Sequence, residues 1–234
     1  MHPRSRTVRR ALGLVMLAAL VVVALAACGG TEKEAKPRPL PEDDKALQPG
    51  EYRSEEFEPS LSFRVGKGWT NVPPESSEGL AIQRGVMGAV SFFRLEEVYE
   101  PARMGMPNVE EAPKDPKGWV AWGRHHPYLR TSEPEQVEVG GVKGLQFEVV
   151  VGDRPQYYIP TCTSIIGNPN CVDLFRLSTG EPILLVEGDK AGIIVLEDVE
   201  GETVTIGFVS PASEFGELAA EAQKVLDSVE WRGS

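Results

Sequence analysis

Histidine and cysteine are scarce in this sequence, with three of each among 234 residues. The spacings that mark common catalytic and nucleotide-binding sites are also missing, namely Gly-x-Ser-x-Gly, Ser-x-x-Lys, His-Glu-x-x-His and the P-loop. Asp173, Asp189 and Asp198 lack the spacing of a calcium-binding loop. We therefore predict no catalytic residue, no metal site and no cofactor, and we favour a non-catalytic role over an enzyme.

Basic residues are outnumbered, with 24 Lys and Arg against 35 Asp and Glu, a formal charge of −11. Four arginines lie within the first 27 residues, which contain no acid. The chain beyond them therefore carries 20 basic against 35 acidic residues, a formal −15. A polyanion repels the phosphates of nucleic acids and of anionic lipids. The composition excludes nucleic acid as a partner, and it excludes charge as the means of membrane attachment.

One long apolar run, residues 11–27, follows a basic segment at residues 4–10. Its 17 residues fall short of the ~20 that span a bilayer comfortably, and small residues at its end are typical of a signal-peptide cleavage site. Residues 25–28, Leu-Ala-Ala-Cys, resemble the bacterial lipobox. The resemblance implies cleavage before Cys28 and lipid, such as diacylglycerol and palmitate, that anchors the protein outside the cytoplasm. The alternative is an uncleaved helical anchor.

Large apolar side chains are nearly absent from residues 29–50, which contain four prolines. Such a segment buries too little surface to offset the entropy of ordering it. We predict a signal peptide at residues 1–27, a lipidated cysteine and disordered linker at 28–50, and a single globular domain at 51–234. As a flexible coil, the linker would reach roughly 25–30 Å.

From residue 51 onward, apolar and polar residues alternate in short runs separated by turns, which predicts half-buried strands. Residues 61–65 show this alternation, and Gly140-Gly141 between two such runs predicts a hairpin. Residues 172–177, 183–186 and 192–196 are more continuously apolar, as in a sheet covered on both faces.

Two segments predict helices. Asp115 can cap a helix that begins at Pro116 and ends before Pro127. Apolar residues recur at helical spacing over residues 215–229, with Ser213 as the predicted cap. The sequence therefore predicts an α+β fold, an antiparallel β-sheet with flanking helices.

Three stretches resemble PsbP-like domains. They are Leu-Ser-Phe-Arg-Val at 61–65 running into Gly-Trp-Thr at 68–70, Val-Gly-Gly-Val at 139–142 leading to Gly-Leu-Gln-Phe-Glu at 144–148, and Leu-Asp-Ser-Val-Glu-Trp at 226–231. The resemblance implies a PsbP-like sandwich with an accessory or partner-binding role and no active site. The loop at residues 157–171 and the strands after it depart from this pattern.

With Cys28 lipidated, Cys162 and Cys171 remain, and an even pair in an oxidising compartment predicts a disulfide. Closure of this short loop would contribute roughly 2–3 kcal/mol. The spacing is not the Cys-x-x-Cys of redox sites, and two thiolates supply only half of a usual zinc shell.

Candidate ligand-binding residues are aromatic or imidazole side chains: Trp119, Trp122, His125, His126, Tyr157 and Tyr158. The aromatic rings can form a platform for a lipid or glycan, or belong to an ordinary core. Adjacent side chains on a helix point about 100° apart, so the two histidines do not naturally share a ligand. A structural role for His126 is favoured over metal binding or general-base catalysis. The acids Glu110 and Glu111 are predicted to lie in a solvated loop.

Three functions stay open at this stage. The first is a membrane-tethered extracytoplasmic lipoprotein whose domain is a non-catalytic binding or accessory module for an envelope protein. The second is a small-ligand binder for lipid or glycan that uses the aromatic cluster. The third is a hydrolase that uses His125 or His126.

Overall fold

The structure is a computed structural model that describes residues 36–100, 108–153 and 170–232. These residues form 16 strands and two helices. The strands are β1 (Arg38–Pro39), β2 (Gly50–Arg53), β3 (Leu61–Val65), β4 (Trp69–Ser76), β5 (Gly79–Arg84), β6 (Gly88–Phe93), β7 (Glu97–Glu100), β8 (Asn108–Glu111), β9 (Leu129–Thr131), β10 (Glu135–Val139), β11 (Val142–Val151), β12 (Cys171–Arg176), β13 (Pro182–Val186), β14 (Asp189–Val199), β15 (Glu202–Pro211) and β16 (Glu230–Trp231). The helices are α1 (Pro116–His125) and α2 (Phe215–Leu226).

The described strands form three sheets. The largest has eight strands, of which seven follow the order β10-β11-β14-β15-β6-β5-β4 while β9 pairs with β11. The two smaller sheets follow the orders β1-β2-β3-β16 and β13-β12-β7-β8. Pairing between the described strands is antiparallel except for the parallel pair β1–β2. The predicted antiparallel fold with flanking helices is confirmed.

Strand β14 is covered on both faces. Ile194 and Leu196 face a core formed with β2, β3 and α2, whereas Ile193 and Val195 face a second core formed with α1, β12 and β13. All four side chains are 1% exposed or less, and burial of each contributes roughly 1.5–3 kcal/mol. The run at residues 192–196 is therefore continuously apolar because, as predicted, this strand is covered on both faces of the sheet.

The two helices begin differently. In α1, the Asp115 carboxylate accepts hydrogen bonds from the backbone N–H groups of Lys117 and Gly118, both at 3.0 Å, and Pro116 occupies the first turn, as predicted. Helix α2 begins at Phe215, and its cap position is held by Glu214 without a side-chain bond. The predicted cap at Ser213 is wrong, because the backbone at this point forms a turn, closed by a hydrogen bond from Glu214 N to Pro211 O at 2.9 Å, and the helix begins after it.

Neither helix has the length and apolarity of a transmembrane span among the described residues.

The domain starts earlier than predicted. Leu40 and Leu47 are 8% and 4% exposed and belong to the first core. The Asn71 amide donates to the Pro41 carbonyl at 2.6 Å, which fixes the segment against β4. The predicted linker is thus wrong for residues 38–50, since two isolated leucines and a side-chain amide are enough to order them. The predicted signal peptide and residues 29–35 of the linker lie outside the described residues.

Candidate functional site

Of the predicted aromatic cluster, Trp119 lies within the second core and Trp122, which is partly buried, packs against it. Trp119 is 1% exposed, and its ring centroid lies 5.8 Å from that of Trp122 and 5.2 Å from that of Phe175. Both contacts are edge-to-face, the arrangement that aromatic side chains prefer in cores. A surface platform that includes Trp119 is therefore wrong, because the ring has no face open to a ligand. Tyr157 and Tyr158 lie outside the described residues.

The two histidines at the end of α1 point to different environments. His126 is 4% exposed, and its Nδ1 accepts a hydrogen bond from Tyr128 N at 3.3 Å. Burial lowers the pKa of His126 to about 4, so the ring is neutral at pH 7. His125 is exposed, with Nδ1 2.7 Å from the Ala121 carbonyl oxygen of its own helix. No group of three metal-ligating side chains occurs among the described residues.

The predicted disulfide falls only in part within the described chain. Cys171 is the first residue of β12 and is fully buried. Its predicted partner Cys162 lies outside the described residues. The bridge therefore stays a prediction.

A groove of about 930 Å³ lies where the β7–β8 pair approaches the β14–β15 turn. Carboxylates dominate its lining, with seven acids against the two cations Arg94 and Lys114, a formal charge of −5. We call it the acidic groove. Its acids come from three separate chain segments: Glu96, Glu97, Glu110, Glu111, Glu197, Asp198 and Glu202.

Strand pairing brings like charges together in the acidic groove. Glu97 lies directly opposite Glu111 in the antiparallel β7–β8 pair, an arrangement that destabilises a sheet unless the charges are compensated. The Arg176 guanidinium donates to Glu97 at 2.6 Å. Lys114 lies 2.5 Å from the Glu111 carboxylate, and this bond lowers the pKa of Glu111. These two acids are therefore neutralised locally.

Other acids in the groove are already used by the fold. The Asp198 carboxylate accepts from Gly201 N at 2.7 Å and closes the β14–β15 turn. Arg94 lies 3.5 Å from the Glu202 carboxylate. The predicted solvated loop at Glu110 and Glu111 is wrong, since both residues belong to strand β8.

Three exposed carboxylates remain without an ion pair or side-chain hydrogen bond in the described part of the chain: Glu96, Glu110 and Glu197. Small-molecule pockets are mostly apolar with a few polar groups, and this groove has the opposite character. Sequence reasoning missed it because residues 96, 110 and 197 are far apart in the chain and meet only through the sheets.

No family model matches this chain, and no curated protein matches it. Among solved structures, it is similar to the solution structure of cyanobacterial PsbP (CyanoP) from Synechocystis sp. PCC 6803, with 10% identity and a TM-score of 0.40 over 89% of this chain and 99% of that one. It is also similar to the crystal structure of the Ran-binding protein Mog1p from Saccharomyces cerevisiae, with 8% identity and a TM-score of 0.42 over 79% of this chain and 96% of that one. TM-scores below 0.5 support no inference about function.

Proposed function

We propose that this chain is a membrane-tethered extracytoplasmic lipoprotein whose domain is a non-catalytic binding module. The anchor is diacylglycerol on Cys28, and the observation that supports it is the Leu-Ala-Ala-Cys sequence placed after a basic segment and an apolar run. Two acyl chains hold a protein to a bilayer far more firmly than one. The formal −15 of the processed chain would not hold it there by charge.

The binding surface of the module is the acidic groove, and its partner is a protein segment rich in Lys or Arg. The exposed carboxylates of Glu96, Glu110 and Glu197, which form no ion pair within 4 Å among the described residues, support this assignment, since opposite charge steers a partner and sets its orientation. The buried position of Trp119 weighs against a lipid or glycan platform. The neutral ring of His126, buried against Trp122 and Tyr128, weighs against a hydrolase centred there.

Mass spectrometry of the mature polypeptide tests the anchor. We expect an N-terminal Cys28 that carries diacylglycerol, and we expect Cys28→Ser to leave the membrane fraction or stay unprocessed. A mature protein that retains residues 1–27, or that stays in the membrane fraction at its processed size as Cys28→Ser, contradicts the proposal.

Crosslinking in the native envelope tests the groove. The variant Glu96→Lys/Glu110→Lys/Glu197→Lys is expected to lose a crosslinked partner that the unmodified protein captures repeatedly. A matched control with the same charge change, Glu56→Lys/Glu58→Lys/Glu138→Lys, alters exposed acids outside the groove and is expected to retain the partner. Equal capture by both variants contradicts the assignment of the groove.

A further inference from the structure

Two apolar side chains are presented to solvent at the loop between β5 and β6. Val86 is 85% exposed and Met87 is 58% exposed. Together with Val72, they are the exposed large apolar residues in the described part of the chain. Tight hairpin loops usually carry Gly, Asn or Asp, so adjacent valine and methionine at this position are unusual. We call residues 85–87 the apolar tip.

The backbone of the apolar tip is fixed from both sides. The Gln83 amide donates to the carbonyl oxygens of Gly85, at 3.1 Å, and Val86, at 2.8 Å. The Arg84 guanidinium donates to the carbonyl oxygen of Lys67 at 2.6 Å, which links the tip to the β3–β4 turn. The two side chains are therefore held away from the core rather than left free to fold back onto it.

The chain enters the domain at the same end as the apolar tip. Arg38 lies opposite Tyr52 in the parallel β1–β2 pair. The chain therefore reaches this sheet at the end where β2 starts, next to Gly50. Gly50 lies opposite Val65, the last residue of β3, and the turn that follows contains Lys67. The chain entry, the start of β2, the end of β3 and the β3–β4 turn therefore follow one another at one end of the domain, and the turn is bonded to Arg84 at the base of the tip.

The length of chain before Pro37 sets how far this end can be from an anchor at Cys28. Nine peptide links separate the two residues, and they extend about 30 Å at most. The ordering of residues 38–50 removes more than half of the predicted linker, so an anchor at Cys28 would hold the entry end of the domain within about 30 Å of the bilayer surface.

We infer that the apolar tip docks into the interfacial region of the anchoring membrane through Val86 and Met87. The inference rests on the proposed lipidation of Cys28. The charged side chains that line the cavity of about 330 Å³ beside the base of the tip are Arg84, Glu214 and Glu217, a formal −1, so attraction between charges does not drive docking to an anionic surface. Docking is therefore by burial of apolar surface, and it proceeds on a zwitterionic membrane.

A fluorescence measurement on the lipidated mature protein tests the inference. Met87→Cys is labelled with an environment-sensitive nitrobenzoxadiazole dye and reconstituted into phosphatidylcholine vesicles, some of which contain brominated acyl chains. We expect the dye emission to shift to the blue and to be quenched by the bromolipid. The matched control is Thr179→Cys, an exposed turn residue between β12 and β13, and its dye is expected to emit as in water. Unsubstituted protein carried through the same labelling serves as the blank.

A second variant separates docking from mere proximity. Val86→Ser in the Met87→Cys background is expected to lower the docking equilibrium about 10-fold, since a buried aliphatic side chain is lost from the contact. Emission at position 87 that matches the aqueous control overturns the inference, as does an equal blue shift in the soluble Cys28→Ser protein without vesicles, which would indicate contact between copies. Mass spectrometry of the same sample distinguishes the failures: diacylglycerol on Cys28 with an aqueous dye refutes the docking alone, whereas an unmodified Cys28 refutes the proposed anchor.

Discussion

The aromatic ring of Phe208 lies directly over the backbone of Gly192 in the neighbouring strand. The two residues are partners in the β14–β15 register, and a Cβ added at Gly192 would lie 2.1 Å from Cζ of Phe208. The ring also stacks on Phe215 at the start of α2, with centroids 5.5 Å apart. Glycine at position 192 therefore makes room for the contact that joins α2 to the large sheet.

Gly192→Ala is expected to reduce the free energy of unfolding by about 1–3 kcal/mol, because the added methyl group must displace the Phe208 ring. Urea denaturation followed by fluorescence measures the change. Gly207→Ala is the matched control, since its Cβ would lie 3.9 Å from the nearest side-chain atom of Phe93. Equal stability of the two variants would contradict the role given to the Phe208 ring.

The Glu75 carboxylate organises the loop between β2 and β3. Its Oε1 accepts hydrogen bonds from the backbone N–H groups of Glu55, Glu56 and Phe57 at 2.9, 3.1 and 3.0 Å. We expect Glu75→Ala to destabilise the domain by about 1–3 kcal/mol, because three donors lose their acceptor. Glu75→Gln, which keeps a neutral acceptor, is expected to lose less. Glu56→Ala, which removes an exposed acid in the same loop, is the control. A loss of stability as large as that of Glu75→Ala would contradict this explanation.

The elements that sequence analysis predicts are those with a local signal. Strand β3 and the Gly140-Gly141 hairpin have two-residue alternation, and α1 has a cap and a boundary proline within its own segment. Strand β8, Asn108–Glu111, carries three polar residues of four. Its structure comes from pairing with β7 rather than from its own pattern, so no reading of the segment alone would have found it.

The start of the domain likewise could not be predicted from its local sequence. Prolines and charges dominate residues 37–50, and the sequence contains no periodic apolar pattern there. Leu40 and Leu47 are ordered because Ala46 bridges Thr70 and Leu47 N donates to Trp69 O at 2.8 Å, contacts with a strand more than 20 residues away. These tertiary contacts order a segment whose composition alone predicts disorder.

Leu47→Ala tests this corrected boundary. The side chain is 4% exposed, and its removal is expected to cost about 2–5 kcal/mol of stability through lost burial and a cavity. A residue in a disordered linker would show no effect. Val86→Ala, at a side chain that is 85% exposed, is the matched control and should leave the denaturation midpoint unchanged.

The acidic groove depends on sheet topology in the same way. Its exposed acids Glu96, Glu110 and Glu197 become neighbours because β7 pairs with β8 and the β14–β15 turn approaches both. The overall negative charge predicts an acidic surface somewhere, but not its place. The placement is set by which strands pair.

The buried ring of His126 makes stability depend on pH. Its pKa is lowered from 6.5 to about 4 by burial, so between these values the unfolded chain binds a proton at this residue and the folded protein does not. Stability from this group is therefore complete above pH 6.5 and falls as the pH decreases toward 4, by about 3 kcal/mol in total. Denaturation curves across this range measure the slope, and His126→Phe is expected to lack this part of it while retaining the contribution of the carboxylates. The lowered pKa of His126 depends on burial of its ring, which packs against Trp122 and Tyr128. A ring resonance of His126 that titrates near pH 6.5 in the folded protein would therefore refute this explanation, because a ring shielded from water has a lowered pKa.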